Sequence, residues 1–141
     1  MRLTSFTDYG LRTLMRLSGA PECNFTVDAM ASEFRISREH LTKVVRELAR
    51  HGYIRTRRGA AGGFRLAMEP DAIRIGAVVR ALEARHALVE CFATDGGDCV
   101  LLPRCRLRQR LAAAREAFFA ELDRSTLADC VYTPDDLTVS A

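Results

Sequence analysis

The fold of this protein follows from the segment Ser37-Arg-Glu-His-Leu-Thr-Lys-Val-Val-Arg-Glu-Leu-Ala-Arg-His-Gly52. Its apolar residues recur at the spacing of one helical face, at Leu41, Val44, Val45 and Leu48. The serine at its start is a favoured N-cap, and the glycine at its end is a typical helix stop. The opposite face is polar and basic. The segment therefore predicts an amphipathic helix that packs through one side and leaves the other side exposed.

Two helices are predicted on the N-terminal side of this helix. Residues 6–18 carry apolar side chains roughly at helical spacing, and Ser5 with Asp8 three positions later resembles a capping box. Thr26 is placed to cap a second helix over residues 27–34. A turn of two residues then leads into the third helix. This order is typical of a helix-turn-helix motif.

After the third helix the pattern changes from helical to strand-like. Residues 53–56 and 64–66 alternate like strands, and the basic segment 57–63 between them is rich in glycine. A basic hairpin that directly follows three short helices is typical of the wing of a winged helix-turn-helix domain. We therefore expect a DNA-binding fold.

Positive charge is concentrated in this part of the chain. The whole protein has a net charge of +3, but residues 35–65 contain nine arginines and lysines against two glutamates, which gives +7 there and −4 elsewhere. Such a patch is typical of a nucleic-acid interface. We predict a third helix in the major groove and a wing against the backbone or minor groove, with these DNA-binding residues: Ser37, Arg38, His40, Thr42, Lys43, Arg46, Arg57, Arg58, Gly62 and Gly63. The alternative is a solvated basic face beside an ordinary hairpin.

Two further helices are predicted after the wing. Apolar residues between positions 73 and 82 mark a fourth helix that ends near Glu83. From Arg106 the chain is helical for most of two dozen residues, with a stripe that resembles a coiled-coil seam at Leu107, Leu111, Ala114, Phe118 and Leu122. We expect this stripe to pair two chains in a homodimer, which suits a two-fold-symmetric site on double-stranded DNA; packing against the first helix is the alternative. Residues 126–130 predict a last short turn.

The predicted fold is mainly α with a small β-hairpin, and it has three parts. Residues 1–83 form a winged helix-turn-helix DNA-binding domain, residues 84–105 a cysteine-rich loop, and residues 106–141 a dimerisation helix with the C-terminal tail.

The sequence has no apolar core of a signal peptide and no apolar run near the roughly 20 residues that span a bilayer, so we expect a cytoplasmic protein without a membrane segment. It also has no nucleophile constellation and no nucleotide-binding glycine pattern, which argues against an enzyme.

The loop holds three of the five cysteines, spaced C-x7-C-x5-C at Cys91, Cys99 and Cys105. Zinc fingers use tight C-x2-C pairs, whereas an iron–sulfur cluster accepts thiolates that are spread more widely. Because the cytoplasm keeps disulfides reduced, clustered cysteines there are ligands or redox-active thiols. Three interpretations stay open: an iron–sulfur cluster, which the spacing favours, a thiol switch without a ligand, and a zinc site.

A fourth ligand is missing from this cysteine pattern. Nearby candidates are Glu90, Asp95, Asp98 and His86. We expect Cys23 and Cys130 to be unligated, since they lie outside the loop. Two arginines that flank the last cysteine, Arg104 and Arg106, are placed to offset the negative charge of a thiolate-bound cluster.

Several segments together resemble the NsrR-type nitric-oxide-sensing repressors. They are residues 1–12, 37–44 and 73–83, the wing Arg58-Gly-Ala-Ala-Gly-Gly63-Phe-Arg-Leu66, residues 121–129, and the three cysteines with Pro103-Arg-Cys-Arg-Leu107. The resemblance covers nearly the whole chain. NsrR-type proteins belong to a family of dimeric winged-helix regulators that also contains IscR-like and CymR-like members.

The resemblance implies an iron–sulfur cluster, 4Fe-4S with 2Fe-2S as the alternative, held by Cys91, Cys99, Cys105 and by Asp8 of the partner subunit. IscR-like proteins instead use a histidine three residues after the last cysteine, where this chain has Arg108, and CymR-like members lack the three cysteines. The implied function is repression by the cluster-bound dimer and release of DNA when nitric oxide nitrosylates the cluster. A carboxylate is a harder donor to iron than a thiolate, so we expect nitric oxide to react first at the iron that Asp8 binds. The alternatives are an iron–sulfur or redox-status regulator of the same fold, or a thiol-switch or zinc-containing regulator.

Overall fold

The computed structural model describes residues 2–134, which form five helices and a two-stranded hairpin. The helices are α1 (Ser5–Ser18), α2 (Val27–Phe34), α3 (Arg38–Arg50), α4 (Ile75–Glu83) and α5 (Arg106–Leu122), and the strands are β1 (Ile54–Arg57) and β2 (Gly63–Leu66). Short 3-10 turns cover Pro70–Ala72, Glu90–Phe92 and Leu127–Cys130. The predicted class, mainly α with a small hairpin in a winged helix-turn-helix, is confirmed, and so is the last short turn. The tail after Pro134, part of the predicted segment 106–141, lies outside the described residues.

One hydrophobic core joins the predicted DNA-reading helices to the C-terminal part of the chain. The buried side chains of the helices and strands include Leu14, Leu17, Met30, Leu41, Leu48, Ile54, Phe64, Val78 and Val79. The same core contains Phe119 from α5 and Leu127 from the last turn. Leu127 also donates a backbone hydrogen bond to Ile73 at 2.8 Å. The C-terminal part of the chain is therefore packed into the same core as the winged domain.

Helix α1 begins at Ser5, three residues before Asp8, and its N-cap is not the predicted one. Thr4 is the N-cap, and its Oγ1 accepts a hydrogen bond from the Thr7 N–H at 3.2 Å. The backbone N–H and the hydroxyl of Thr4 both donate to Glu83 Oε1 at 2.8 Å. The predicted capping box of Ser5 and Asp8 is wrong, because a carboxylate at the end of α4 holds the preceding threonine. Burial of Glu83 raises its pKa, but the hydrogen bonds from Thr7 and Thr4 outweigh that effect and leave the pKa below its ordinary value.

Helix α5 packs against α4, not against α1 as in the alternative interpretation. Its buried side chain is Phe119, which lies outside the predicted stripe, while Phe118 and Leu122 are half-buried and Leu107 is 62% exposed. A Cβ added to Gly76 of α4 would lie 2.7 Å from the Phe119 carbonyl oxygen, so the missing side chain lets the two helices approach. Neither α5 nor any other helix within residues 2–134 is long and apolar enough to cross a bilayer.

Candidate DNA-binding face and cysteine loop

Helix α3 is capped and oriented as predicted. The hydroxyl of Ser37 accepts a hydrogen bond from the His40 N–H at 3.1 Å, which satisfies a donor of the first turn. The four predicted apolar residues are at most 6% exposed, so the helix is held by that face. The predicted DNA-binding residues of the opposite side are exposed, with Thr42 half-buried: Ser37, Arg38, His40, Thr42, Lys43 and Arg46.

Two cations of this face are held in exposed ion pairs. Arg38 Nε lies 2.5 Å from Asp28 Oδ1 of α2, and Lys43 Nζ lies 2.8 Å from Glu39 Oε1 one turn earlier. The hydrogen bond from Lys43 also holds the pKa of Glu39 below its ordinary value. Exposed ion pairs contribute little to stability, so exchanging a carboxylate for a phosphate costs little. Both side chains are therefore available to a polyanion.

The hairpin is tied to the segment that precedes α2. Strands β1 and β2 pair antiparallel, from Ile54 opposite Leu66 to Arg57 opposite Gly63. Phe25 and Phe64 exchange two backbone hydrogen bonds, of 2.9 and 2.8 Å, which add a strand-like segment beside β2. No local pattern in the sequence signals this bridge, because its two residues are far apart in the chain. The bridge therefore ties β2 of the wing to the segment before α2.

Gly62 and Gly63 set the shape of the wing. Gly63 has a φ of +141°, and a Cβ there would lie 2.6 Å from the Phe25 carbonyl oxygen. A Cβ on Gly62 would lie 2.6 Å from the carbonyl oxygen of Arg57. Both positions therefore require glycine. The predicted contact residues Arg57 and Arg58 are exposed at the tip that these glycines form.

Arg58→Ala is expected to weaken DNA binding by one phosphate contact. The slope of log K against log salt should become less negative by about 0.9, since one fewer counterion is released. The unfolding midpoint should stay unchanged, because the side chain is exposed. Fluorescence anisotropy over a salt series measures the slope, and Arg124→Ala, which removes an exposed arginine outside the basic segment, is the control. An unchanged slope for Arg58→Ala would exclude the wing tip from the interface.

The three candidate ligand cysteines lie in three different local structures. Cys91 is in the turn Glu90–Phe92, Cys99 is in an irregular segment, and Cys105 is the N-cap residue of α5. All three are half-buried free thiols. Within residues 2–134, no three His, Cys, Asp or Glu side chains are gathered into a group that could hold a metal ion. The cysteines share one loop beside α5, but in this conformation they do not surround a common point.

The chemistry of this donor set suits an iron–sulfur cluster. Thiolates are the usual cluster ligands, and the loop offers three thiols without disulfide partners. The side chain of Cys105 does not cap α5, and the start of a helix stabilises nearby negative charge. Gly96 and Gly97 have φ values of +81° and +59°, which allow a tight turn between the first two cysteines.

Two of the carboxylates considered as a fourth ligand hold the loop together instead. Glu90 Oε1 accepts a hydrogen bond from the Asp98 N–H at 3.0 Å, and Asp95 Oδ1 accepts one from the Gly97 N–H at 3.1 Å. His86 is exposed, with its Nδ1 4.0 Å from a carboxylate oxygen of α4.

Asp8 lies on α1, the helix that packs against α3. Its carboxylate pairs with Arg12, with 2.6 Å between Oδ2 and Nη2, and the Asp8 side chain is 45% exposed. The ring centroid of the next residue, Tyr9, lies 6.4 Å from that of His40, and the guanidinium of Arg12 lies over the Tyr9 ring. Asp8 is thus connected to the predicted DNA-reading helix by side-chain contacts that its sequence position does not reveal.

Known proteins share both the sequence and the fold of this chain. A sequence profile of the Rrf2 family, described as iron-dependent transcriptional regulators, matches residues 3–133. The HTH-type transcriptional regulator NsrR of Geobacillus kaustophilus (strain HTA426) is 52% identical over 130 residues, which cover 92% of this chain and 88% of that protein. The HTH-type transcriptional regulator NsrR of Shouchella clausii (strain KSM-K16) is 45% identical over 138 residues, 97% of this chain and 93% of that protein.

The structural comparison agrees with the sequence comparison. CymR (YrzC), the global cysteine regulator of B. subtilis, superposes with a TM-score of 0.71 at 28% identity, over 92% of this chain and 95% of the CymR chain. The resemblance to NsrR-type regulators is confirmed, and the protein is a transcriptional regulator, not an enzyme. Since the matched region includes the winged helix-turn-helix, the cysteine loop and α5, the chain belongs to the Rrf2 family of iron-dependent transcriptional regulators.

Proposed function

We propose that this protein is a homodimeric transcription repressor that senses nitric oxide through an iron–sulfur cluster. Cys91, Cys99, Cys105 and Asp8 of the partner subunit hold the cluster, which is of the 4Fe-4S type. When bound, the cluster supplies iron that reacts with nitric oxide. The intact dimer binds a two-fold-symmetric DNA site, and the reaction releases it. In this proposal residues 1–83 bind DNA, residues 84–105 hold the cluster, and residues 106–141 pair the subunits.

The contact between α1 and α3 is the observation that carries this proposal. Asp8, paired with Arg12, precedes Tyr9, and the Tyr9 ring lies 6.4 Å from the ring of His40 in the first turn of α3. A change at the Asp8 carboxylate therefore moves side chains that touch the DNA-reading helix. Release of DNA requires that such a movement weaken binding by on the order of 5 kcal/mol.

Two-fold symmetry explains how a small movement has a large effect. A dimer places its two recognition helices in major grooves about one helical turn apart, roughly 34–36 Å, so both must be in register at once. A shift of one α3 misaligns its contacts and leaves only salt-dependent backbone binding. The usual difference between specific and non-specific binding is about 4–10 kcal/mol, which is enough for release.

DNA binding by anaerobically purified protein, before and after addition of nitric oxide, tests this function. We expect iron and sulfide in equal amounts, specific binding of a two-fold-symmetric operator, and loss of that binding after nitric oxide is added. Tight operator binding that nitric oxide leaves unchanged would contradict the proposal.

A thiol switch is the second candidate, because the three loop cysteines are half-buried free thiols that are not grouped around a metal position within residues 2–134. In that case the purified protein would lack iron and sulfide, and DNA binding would respond to thiol oxidants. Zinc without sulfide would identify the zinc-containing alternative.

Asp8→Ala is expected to give a protein that still assembles a cluster but reacts with nitric oxide at a different rate. Loss of the Asp8–Arg12 pair changes the free energy of unfolding by only about 0.3–0.5 kcal/mol, so the variant should fold. Stopped-flow absorbance measures the reaction. Arg12→Ala breaks the same ion pair but keeps the carboxylate, so it distinguishes the loss of an iron ligand from the loss of the ion pair. Identical kinetics in wild type and Asp8→Ala would argue against a carboxylate ligand.

A further inference from the structure

The ring of Phe92 lies against two arginines of α5. The guanidinium carbon of Arg108 is 5.5 Å from the ring centroid, and that of Arg115 is 4.9 Å from it. The two arginines are seven residues apart, so they project from the same face of the helix two turns from each other. Distances within about 6 Å are those of cation–π contacts. Phe92 is half-buried and lies outside the hydrophobic core.

These contacts attach the turn that carries Cys91 to the helix that begins after Cys105. Phe92 directly follows Cys91 in the turn Glu90–Phe92, and Phe92 and Ala93 donate backbone hydrogen bonds of 2.9 and 3.0 Å within that segment. A hydrogen-bonded turn moves as a unit, so the position of the ring determines the position of the neighbouring thiol. Two of the three candidate ligands therefore take their positions from one helix.

The same contacts place two positive charges over the residue that follows the first cysteine. Thiolate and carboxylate ligands leave negative charge on an iron–sulfur centre, and charged neighbours tune such centres. The sequence predicts this role for Arg104 and Arg106, which are exposed at the start of α5. The structure instead places the guanidinium groups of Arg108 and Arg115 over the residue that follows Cys91.

We propose that Phe92, Arg108 and Arg115 form a clamp that positions Cys91 relative to Cys105 and thereby sets how firmly the loop retains its cluster. The clamp rests on the proposed function of the three cysteines. Its members are positioning residues, since they act through the turn and do not donate to iron. Because an exposed cation–π contact is modest, each one should change the measured rates by about two- to fivefold.

Alkylation of the cluster-free, full-length protein tests the clamp without any cofactor. Phe92→Leu keeps an apolar side chain but removes the ring, and it should speed the reaction of Cys91 with iodoacetamide, followed by mass spectrometry, by about two- to fivefold. Cys23, exposed between α1 and α2, is the internal reference and should react at the wild-type rate. Phe92→Trp keeps an aromatic face and should restore slow alkylation. Equal rates for wild type, Phe92→Leu and Phe92→Trp would overturn the clamp.

Release of iron to a chelator tests the clamp in the cluster-bound protein. Arg108→Gln and Arg115→Gln should each release iron about two- to fivefold faster than wild type. Arg110→Gln, an exposed arginine on the same helix, should behave like wild type. The test requires that wild type and Arg110→Gln hold clusters. If Arg108→Gln and Arg115→Gln then release iron as slowly as these two proteins, the clamp is wrong. If wild type holds no cluster, the proposed function fails, and the alkylation rates still decide whether the clamp exists.

Discussion

Cys105→Ala is expected to abolish the visible charge-transfer absorption of an iron–sulfur protein, and Cys91→Ala and Cys99→Ala should do the same. Each of the three cysteines supplies one thiolate to the proposed cluster, and thiolates are the usual cluster ligands, so each substitution removes one iron ligand. Without the cluster the two subunits lose the proposed link through Asp8. Operator affinity should then fall toward the non-specific level, by about a thousandfold or more.

Iron and sulfide analysis, absorption spectra and operator titrations of the anaerobic proteins measure these effects. Cys23→Ala is the matched control, since it removes an exposed thiol in the connection between α1 and α2. It should keep both the spectrum and the affinity. A variant of Cys91, Cys99 or Cys105 with an unchanged spectrum would show that the substituted cysteine is not a ligand.

Gly63→Ala is expected to destabilise the protein by about 3 kcal/mol and to weaken DNA binding. An L residue at a φ of +141° is strained by about 1–3 kcal/mol. The new Cβ would also lie 2.6 Å from the backbone oxygen of Phe25, which cannot rotate away. Relief of that clash breaks the two hydrogen bonds between Phe25 and Phe64, each worth about 0.5–1.5 kcal/mol. The wing is then no longer tied to the segment before α2.

Gly59→Ala distinguishes the cost of backbone strain from the cost of the steric clash with Phe25. Gly59 also has a positive φ, +101°, but a Cβ there would have no atom within 4 Å. Its cost should therefore be the strain alone, about 1 kcal/mol. Urea unfolding followed by circular dichroism compares the two variants, and a salt series of DNA titrations should show weaker binding for Gly63→Ala with a less negative slope, since a displaced wing loses phosphate contacts. Equal destabilisation by both substitutions would show that the Phe25 bridge does not carry the effect.

The parts of the fold that were predicted well depend on neighbours in the sequence. The cap of α3 joins residues three apart, Ser37 and His40, and its buried face repeats every three or four residues. The cap at Thr26 is of the same kind, with its hydroxyl accepting from the Ala29 N–H. Hydrogen bonds of this range leave a local pattern, so the helices of the winged domain could be predicted from periodicity.

The errors in the fold come from partners that are distant in the sequence. Ser5 and Asp8 have capping-box spacing, yet Thr4 caps α1 because Glu83 holds it from the end of α4. The contact of α5 with α4, where Phe119 is buried and Gly76 lets the helices come close, was not predicted either. A helical wheel shows which side chains share a face, but it does not show which face meets a neighbour.

The candidate site divides in the same way. The basic face of α3, the wing and the three cysteines are visible in the sequence, because charge clusters and spacing are properties of short segments. The contacts of Tyr9 with His40 and of Phe92 with α5 are not visible there.

Sequence alone therefore identified the components, namely a DNA-reading helix, a basic wing, a cysteine loop and a long final helix. The tertiary structure connected them, by placing Tyr9 beside α3 and the turn of Cys91 against α5. The physical reason is the separation in sequence between the residues that interact. Caps, turns and helical faces arise from interactions within a few residues, whereas contacts between distant segments form only after the shared core has closed the intervening loops.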